Sequence, residues 1–235
     1  MTPDEIKAAA QTLETETPER ILSWAAQTFP GRLTFATSLG IEDCAVTDMI
    51  ARQHLGIELF TLDTGLLFQE SYALWAELEE KYNVQIRRVS PEHSVDEQAT
   101  LEGPELWLRD ADRCCGLRKI GPLQKTLSNY DAWITAIRRD QTPERANAPV
   151  VSWDGRFGLV KINPIVRWTS DDVRGYVGAH NVPYNPLHDR NYPSIGCMPC
   201  TSPVAAGEDP RSGRWRGSEK TECGLHWVRG KEARE

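Results

Sequence analysis

Two cysteines stand side by side in Asp112-Arg113-Cys114-Cys115-Gly116-Leu117-Arg118-Lys119, two more in Cys197-Met198-Pro199-Cys200, and a fifth in Glu222-Cys223-Gly224-Leu225-His226. Thiolates are soft ligands, so Cys114, Cys115, Cys197 and Cys200 together can hold a zinc ion or an iron–sulfur cluster. The directly adjacent pair departs from the C-x₂₋₄-C spacing of structural zinc sites. Disulfides are disfavoured by the strain of bridging neighbours, and redox-active thiols remain a further alternative. Cys223 follows Arg211, Arg214, Arg216 and Lys220 in the chain. Cationic neighbours lower a thiol pKa and favour the nucleophilic thiolate, and His226 could contact the thiol or a substrate. The bland alternative is a free tail cysteine. Cys44, beside Ala45 and Val46, reads as a small core residue at the start of a helix.

Other side chains suit an anion. Arg118 and Lys119 follow the cysteine pair, Arg138, Arg139 and Arg145 follow a candidate strand, and Arg211 and Arg214 precede Cys223. Grouped guanidinium and ammonium groups can clamp a multiply charged small anion, although each alone is an ordinary solvated charge. The turn Ser38-Leu39-Gly40-Ile41-Glu42-Asp43 lies between a strand and a helix. Backbone N–H groups and the helix dipole there can hold a phosphate. It is neither a Walker loop nor a dinucleotide fingerprint. Asp63-Thr64-Gly65 ends the neighbouring strand on the same expected edge. Trp133 and Trp168 read as core.

These residues need a scaffold, and the apolar periodicity supplies one. Residues 3 to 28 read as two helices, the second with Thr17 as N-cap and Pro18 at its first position. Leu33–Thr37, Ile57–Leu62 and Val84–Val89 read as buried strands, separated by helices that carry Ala45, Val46, Met49 and Ile50, then Leu67, Leu74, Leu78 and Tyr82. Asp131–Ile137 and Leu159–Ile162 read as a fourth and a fifth strand. Thr169 caps a last helix, with Asp172 in capping-box position. Strand alternating with helix predicts a parallel α/β sheet with helices on both faces, which binds ligands outside the carboxyl ends of its strands. From Pro183 onward the period is lost, which predicts an irregular C-terminal region.

Composition limits the partners. A net charge of −7 argues against a general nucleic-acid surface, and 40% hydrophobic with 26% charged residues is ordinary for a globular protein. No run of about 18 apolar residues suggests a membrane span, and the N-terminus lacks the blocks of a signal peptide. A cytoplasmic location is expected, where clustered cysteines more often mean metal or catalysis than disulfides.

Taken together and in order, the turn 38–43, Leu62-Asp63-Thr64-Gly65, the 114–119 stretch, Trp133-Ile134-Thr135-Ala136-Ile137-Arg138-Arg139, Cys197-Met198-Pro199-Cys200 and Glu222-Cys223-Gly224-Leu225-His226 resemble the assimilatory adenylyl-sulfate reductases, within the family that includes phosphoadenylyl-sulfate reductases. The resemblance implies an adenine-nucleotide α-hydrolase-like fold. It also implies a [4Fe–4S] cluster on Cys114, Cys115, Cys197 and Cys200, and reduction of adenylyl sulfate to sulfite and AMP through an S-sulfocysteine on Cys223. Lys119, Arg211, Arg214 and His226 are implied contacts of the phosphosulfate, with Arg138, Arg139 and Arg145 beyond them. Ser38, Gly40, Asp43 and Asp63 would line the nucleotide site.

Thioredoxin or glutaredoxin would be the electron donor, no nucleic acid or membrane partner is expected, and a dimer or tetramer is the family tendency. Residues 1–200 would form one nucleotide- and cluster-binding domain, and residues 201–235 a flexible segment carrying the nucleophile. Use of the 3′-phosphorylated substrate is the alternative. An ATP-dependent adenylating or thiolating enzyme is disfavoured, because Ile41 and Glu42 stand where related ATP-cleaving enzymes carry a loop Lys. A zinc-stabilised nucleotide-binding module is a non-catalytic alternative.

Overall fold

The computed structural model describes residues 1–218 together with Lys220, Glu222 and Gly224. Cys223 and His226 lie outside the described residues. Two helices lead the chain, α1 (Pro3–Leu13) and α2 (Pro18–Thr28), and each begins on a threonine whose hydroxyl accepts a backbone N–H of the first turn. Such a cap contributes about 1 kcal/mol and fixes where each helix starts. The sheet is then built from β1 (Leu33–Thr37), β2 (Glu58–Leu62), β3 (Ile86–Val89), β4 (Ala132–Ile134), β5 (Val151–Asp154) and β6 (Leu159–Ile162), in the order β3-β2-β1-β4-β6-β5. All pairings are parallel except β5 with β6.

Alternate side chains of the strands enter two different cores, as the two-residue period of a strand requires. Leu33, Phe35, Leu59, Ala132, Ile134, Val160 and Ile162 point to the larger core, shared with α1, α2, α3 (Ile41–Arg52) and α4 (Gln69–Tyr82). Phe60, Trp133 and Leu159 point to the smaller one with Val89, Leu123 and Leu127. Cys44 belongs to the larger core and is fully buried. Helix α3 is buried from Ile41 to Ile50 except at Glu42, because α2, α4 and α9 (Ser170–Ala179) all pack on it. Asp48 lies inside that packing and is satisfied by the hydroxyls of Tyr82 at 2.9 Å and Tyr176 at 2.6 Å.

The antiparallel edge strand β5 has no counterpart in the sequence reading. It has only four residues between Val150 and the turn Gly155–Gly158, and its pairing with β6 is made by that hairpin rather than by an apolar period. The strand expected to reach Ile137 stops at Ile134, after which the chain turns towards the cleft.

Between β3 and β4 the chain forms α5 (Val95–Glu102), α6 (Leu106–Arg109) and one continuous helical run. That run comprises α7 (Ala111–Cys115), a π-helical turn (Gly116–Ile120) and α8 (Gly121–Leu127). π-turns inside helices recur at functional sites, because the extra residue per turn re-aims side chains. After α9 the described residues contain only 3₁₀ turns and an isolated bridge, Thr201 with Arg214.

Within residues 201–218, part of the segment expected to be flexible, a few contacts tie the chain to the rest of the fold. Ser202 N–H donates to the Gly213 carbonyl at 2.9 Å and Trp215 N–H to the Cys200 carbonyl at 3.0 Å, while Val204 and Trp215 are buried. Two isolated anchors set among Pro, Gly and charged residues carry no period, so the pattern could not reveal them.

Candidate active site

The sheet order reverses its winding between β1 and β4, and open α/β sheets bind ligands at such a switch point. A cleft of about 400 Å³ opens there, at the carboxyl ends of β1, β2 and β4. That volume lies within the range of small-ligand pockets. Phe60, Leu62, Leu123 and Trp133 form an apolar floor, and Lys119, Arg138, Arg145, Arg174, Arg211 and Arg214 supply cations. Trp133 thus serves both as core and as cleft wall.

The turn after β1 is braced by its own carboxylate. Asp43 accepts the N–H groups of Ser38 at 3.1 Å and Gly40 at 3.2 Å, and the Ser38 hydroxyl as well. Burial pushes the Asp43 carboxyl up to about 6 against those hydrogen bonds. The two amides that the sequence offered to a phosphate are therefore used internally, and Asp43 shapes the loop. Leu39 takes φ +61°, held by burial and by its N–H on Thr37 Oγ1 at 3.1 Å. Ser38, Gly40 and Asp43 still line the cleft.

Asp63 does not line it. Its carboxylate takes the Gly65 N–H at 2.9 Å and the Tyr72 hydroxyl at 2.7 Å, and pairs with Arg88 at 3.4 Å, which fixes the turn after β2. Arg139 is also turned away: its guanidinium pairs with Glu14 at 2.6 Å and donates to the Ala148 carbonyl.

Cys114, Cys115, Cys197 and Cys200 come from two separate stretches and line one small cavity with Leu66, Trp107, Arg118, Lys119 and Trp215. Among the described residues no three His, Cys, Asp or Glu side chains converge as ligands of a single metal ion. The helical run delivers Cys114 and Cys115. Cys197 and Cys200 sit on a 3₁₀ turn tied down by Met198 N–H on the Leu66 carbonyl at 2.7 Å. Arg118, buried beside them, ties the helical run to the turn after β2 and to α5, donating to the Thr64 carbonyl at 2.6 Å and to Gln98 Oε1 at 3.0 Å.

The four thiols are not equivalent. Burial pushes Cys200 up to about 11, and burial with the neighbouring Cys115 raises Cys114. Cys197 meets the same burial, but the Lys119 ammonium, the Thr64 hydroxyl 3.3 Å away and Arg214 together bring its thiol below the ordinary value. Arg214 stays close because Gly196 has no Cβ: one built there would fall 2.2 Å from the guanidinium. Lys119 and Cys197 line both the thiol cavity and the cleft, so the two sites share a wall.

Several cleft residues escaped the sequence reading. Gln141 bridges Glu42 at 3.2 Å and Arg145 at 2.5 Å. His188 is buried with its Nε2 unpartnered among the described residues, and burial lowers its pKa. Ser170 and Arg174 reach the cleft from the first turns of α9. Their four-residue spacing behind a clear N-cap was the available signal for that face.

A mostly parallel sheet with a cation-lined cleft at its switch point defines an adenine-nucleotide α-hydrolase-like protein. Residues 32–203 match the phosphoadenosine phosphosulfate reductase domain, and this chain belongs to that family of enzymes. It is 45% identical over 225 residues to the adenosine 5′-phosphosulfate reductase of Rhodococcus opacus, covering 92% of this chain and 91% of that one. It is 44% identical over 222 residues to that of Halalkalibacterium halodurans, covering 94% and 96%. A crystal structure of phosphoadenylyl-sulfate reductase from Candida auris in a phosphate complex superimposes with TM-score 0.78 at 29% identity, over 87% of this chain and 98% of that chain. Candida glabrata FMN adenylyltransferase, at 12% identity and TM-score 0.58 over 94% of this chain and 78% of that one, shares the fold alone.

Proposed function

We propose that this enzyme reduces adenylyl sulfate to sulfite and AMP, with Cys223 as nucleophile and a thioredoxin- or glutaredoxin-type dithiol as donor. The observation that carries the reading is the wall shared by the thiol cavity and the cleft, where Lys119 and Cys197 belong to both. The Cys223 thiolate attacks the sulfate sulfur, the bond from sulfur to the bridging oxygen breaks, and AMP leaves with that electron pair. The donor's thiolate then attacks Cys223 Sγ, sulfite departs, and the donor's second thiol closes a disulfide, which accounts for both electrons. Attack by an anion on an anion is electrostatically poor, so Lys119, Arg211 and Arg214 stabilise the charge on the transferring group. Arg138 and Arg145 lie deeper in the same cleft, and His226 supports the nucleophile.

A [4Fe–4S] cluster would be held by Cys114, Cys115, Cys197 and Cys200. The donor set fits by its chemistry: four soft thiols line one cavity. When bound, such a group supplies fixed charge beside Lys119. Residues 1–200 serve as the nucleotide- and cluster-binding domain and 201–235 as the segment that brings Cys223. Reduced, clustered thiols suit the cytoplasm, and no described helix is long and apolar enough to cross a membrane. A homo-oligomer completes the proposal.

The likeness to the Candida auris phosphoadenylyl-sulfate reductase favours a second reading, use of the 3′-phosphorylated substrate. Sulfite release from the two substrates, compared as kcat/KM with thioredoxin as reductant, separates them. A clear preference for adenylyl sulfate is expected, and equal or better turnover of the 3′-phosphorylated form overturns it. In the same assay Cys223→Ser abolishes sulfite formation while the visible absorbance of anaerobically purified protein is retained.

A further inference from the structure

Glu222 precedes Cys223 in the chain, and its carboxylate is held by two arginines. Arg145 Nη2 donates to it at 2.9 Å and Arg211 Nη2 at 3.1 Å. Arg145 is only 5% exposed, and its other guanidinium contact is the neutral amide oxygen of Gln141. A buried guanidinium needs a counter-charge, and here Glu222 supplies it. On the other side of Cys223, the Gly224 carbonyl accepts a hydrogen bond from Arg156 Nη1. Arg156 in turn lies over the Phe157 ring at 5.6 Å, and Phe157 packs edge-on against Trp133 in the smaller core. Both chain neighbours of Cys223 are therefore held, Glu222 in the cleft lining through its side chain and Gly224 on Arg156 through its backbone.

We propose that Glu222 is the positioning residue for the nucleophile. Its carboxylate, bridging Arg145 and Arg211 and seconded by the Arg156 contact at Gly224, holds the two residues that flank Cys223 in the chain before substrate binds. Holding a reacting group near its target converts a search into a short displacement, which raises the rate of the chemical step rather than substrate affinity. The inference rests on Cys223 being the nucleophile.

Glu222→Gln and Glu222→Asp in the full-length protein test it. Single-turnover S-sulfonation at saturating adenylyl sulfate, followed by intact-mass measurement, is expected to slow roughly 10- to 100-fold in Glu222→Gln, the equivalent of one charge-assisted hydrogen bond. AMP affinity should stay near that of the parent, and Glu222→Asp should recover part of the rate. Without substrate, peptide-resolved alkylation of Cys223 by iodoacetamide should accelerate in Glu222→Gln. Arg156→Ala, at an exposed position, should shift both readouts in the same direction without threatening the fold. Unchanged S-sulfonation and alkylation rates would overturn the anchor. So would tighter AMP binding with an undiminished rate, which would make Glu222 a competitor for the anion site. If Cys223→Ser still accepts the sulfo group, the nucleophile assignment fails instead, while the alkylation rates still report on the anchor.

Discussion

Lys119 and Cys197 meet at the wall between the thiol cavity and the nucleotide cleft, the lysine from a π-turn and the cysteine from a 3₁₀ turn. The ammonium, with the Thr64 hydroxyl and Arg214, favours the charged form of that thiol against the burial that raises Cys114 and Cys200. A cation in this position borders the thiol cavity on one side and the cleft on the other.

Replacing that ammonium separates its two roles. Lys119→Ala is expected to lower kcat for sulfite release by about 10²- to 10³-fold, the size seen when a preorganised charge-stabilising donor is removed. Thermal stability should change little, since the side chain is only partly buried. Lys119→Arg should retain part of the rate. Rate constants and melting curves on the same preparations decide it: a variant that simply melts early marks the lysine as structural.

Arg118, the next residue, should behave in the opposite way. Its Nε and Nη1 donate to Thr64, Gln98, His93 and Ser94, joining the π-turn to the turn after β2 and to the start of α5. A lysine keeps the charge but loses the planar fork. Arg118→Lys is expected to cost about 2–4 kcal/mol, as stranded buried acceptors do. The urea unfolding midpoint reads this directly, and a loss below about 1 kcal/mol would show that the clamp is dispensable.

Asp43 makes stability depend on pH. Its carboxyl is raised from 3.8 to about 6 by burial, against the Ser38 and Gly40 hydrogen bonds. Between those values the folded protein holds a proton that the unfolded chain has released. Its contribution is therefore fully present below about pH 4 and is lost as pH rises through about 6, an amount of about 2–3 kcal/mol. Asp43→Asn should be correspondingly less pH-sensitive across that window. Chemical unfolding of both proteins at pH 4 to 7 tests this, and parallel curves would refute it.

Much of the scaffold follows from local chemistry. Thr2, Thr17 and Thr169 cap α1, α2 and α9 because a hydroxyl beside an open first turn has few better partners. The strands Leu33–Thr37 and Leu159–Ile162 fall where short apolar runs end at turn residues. The β5 hairpin and the buried anchors Val204 and Trp215 carried no period to read, since non-local pairing and isolated contacts leave no spacing in the chain.

The candidate site divides in the same way. By itself, the chain determined which residue types are present: four paired thiols, a lone fifth, and basic groups enough for an anion. Only the tertiary structure decided that Cys114 and Cys115 share one cavity with Cys197 and Cys200, that Lys119 borders both sites, that Arg139 and Asp63 turn to structural partners, and that Glu222 occupies Arg145 and Arg211. Spacing along a strand or helix fixes a face, but which charge meets which is settled by packing between elements distant in the chain. A buried guanidinium takes the carboxylate that the fold brings within reach.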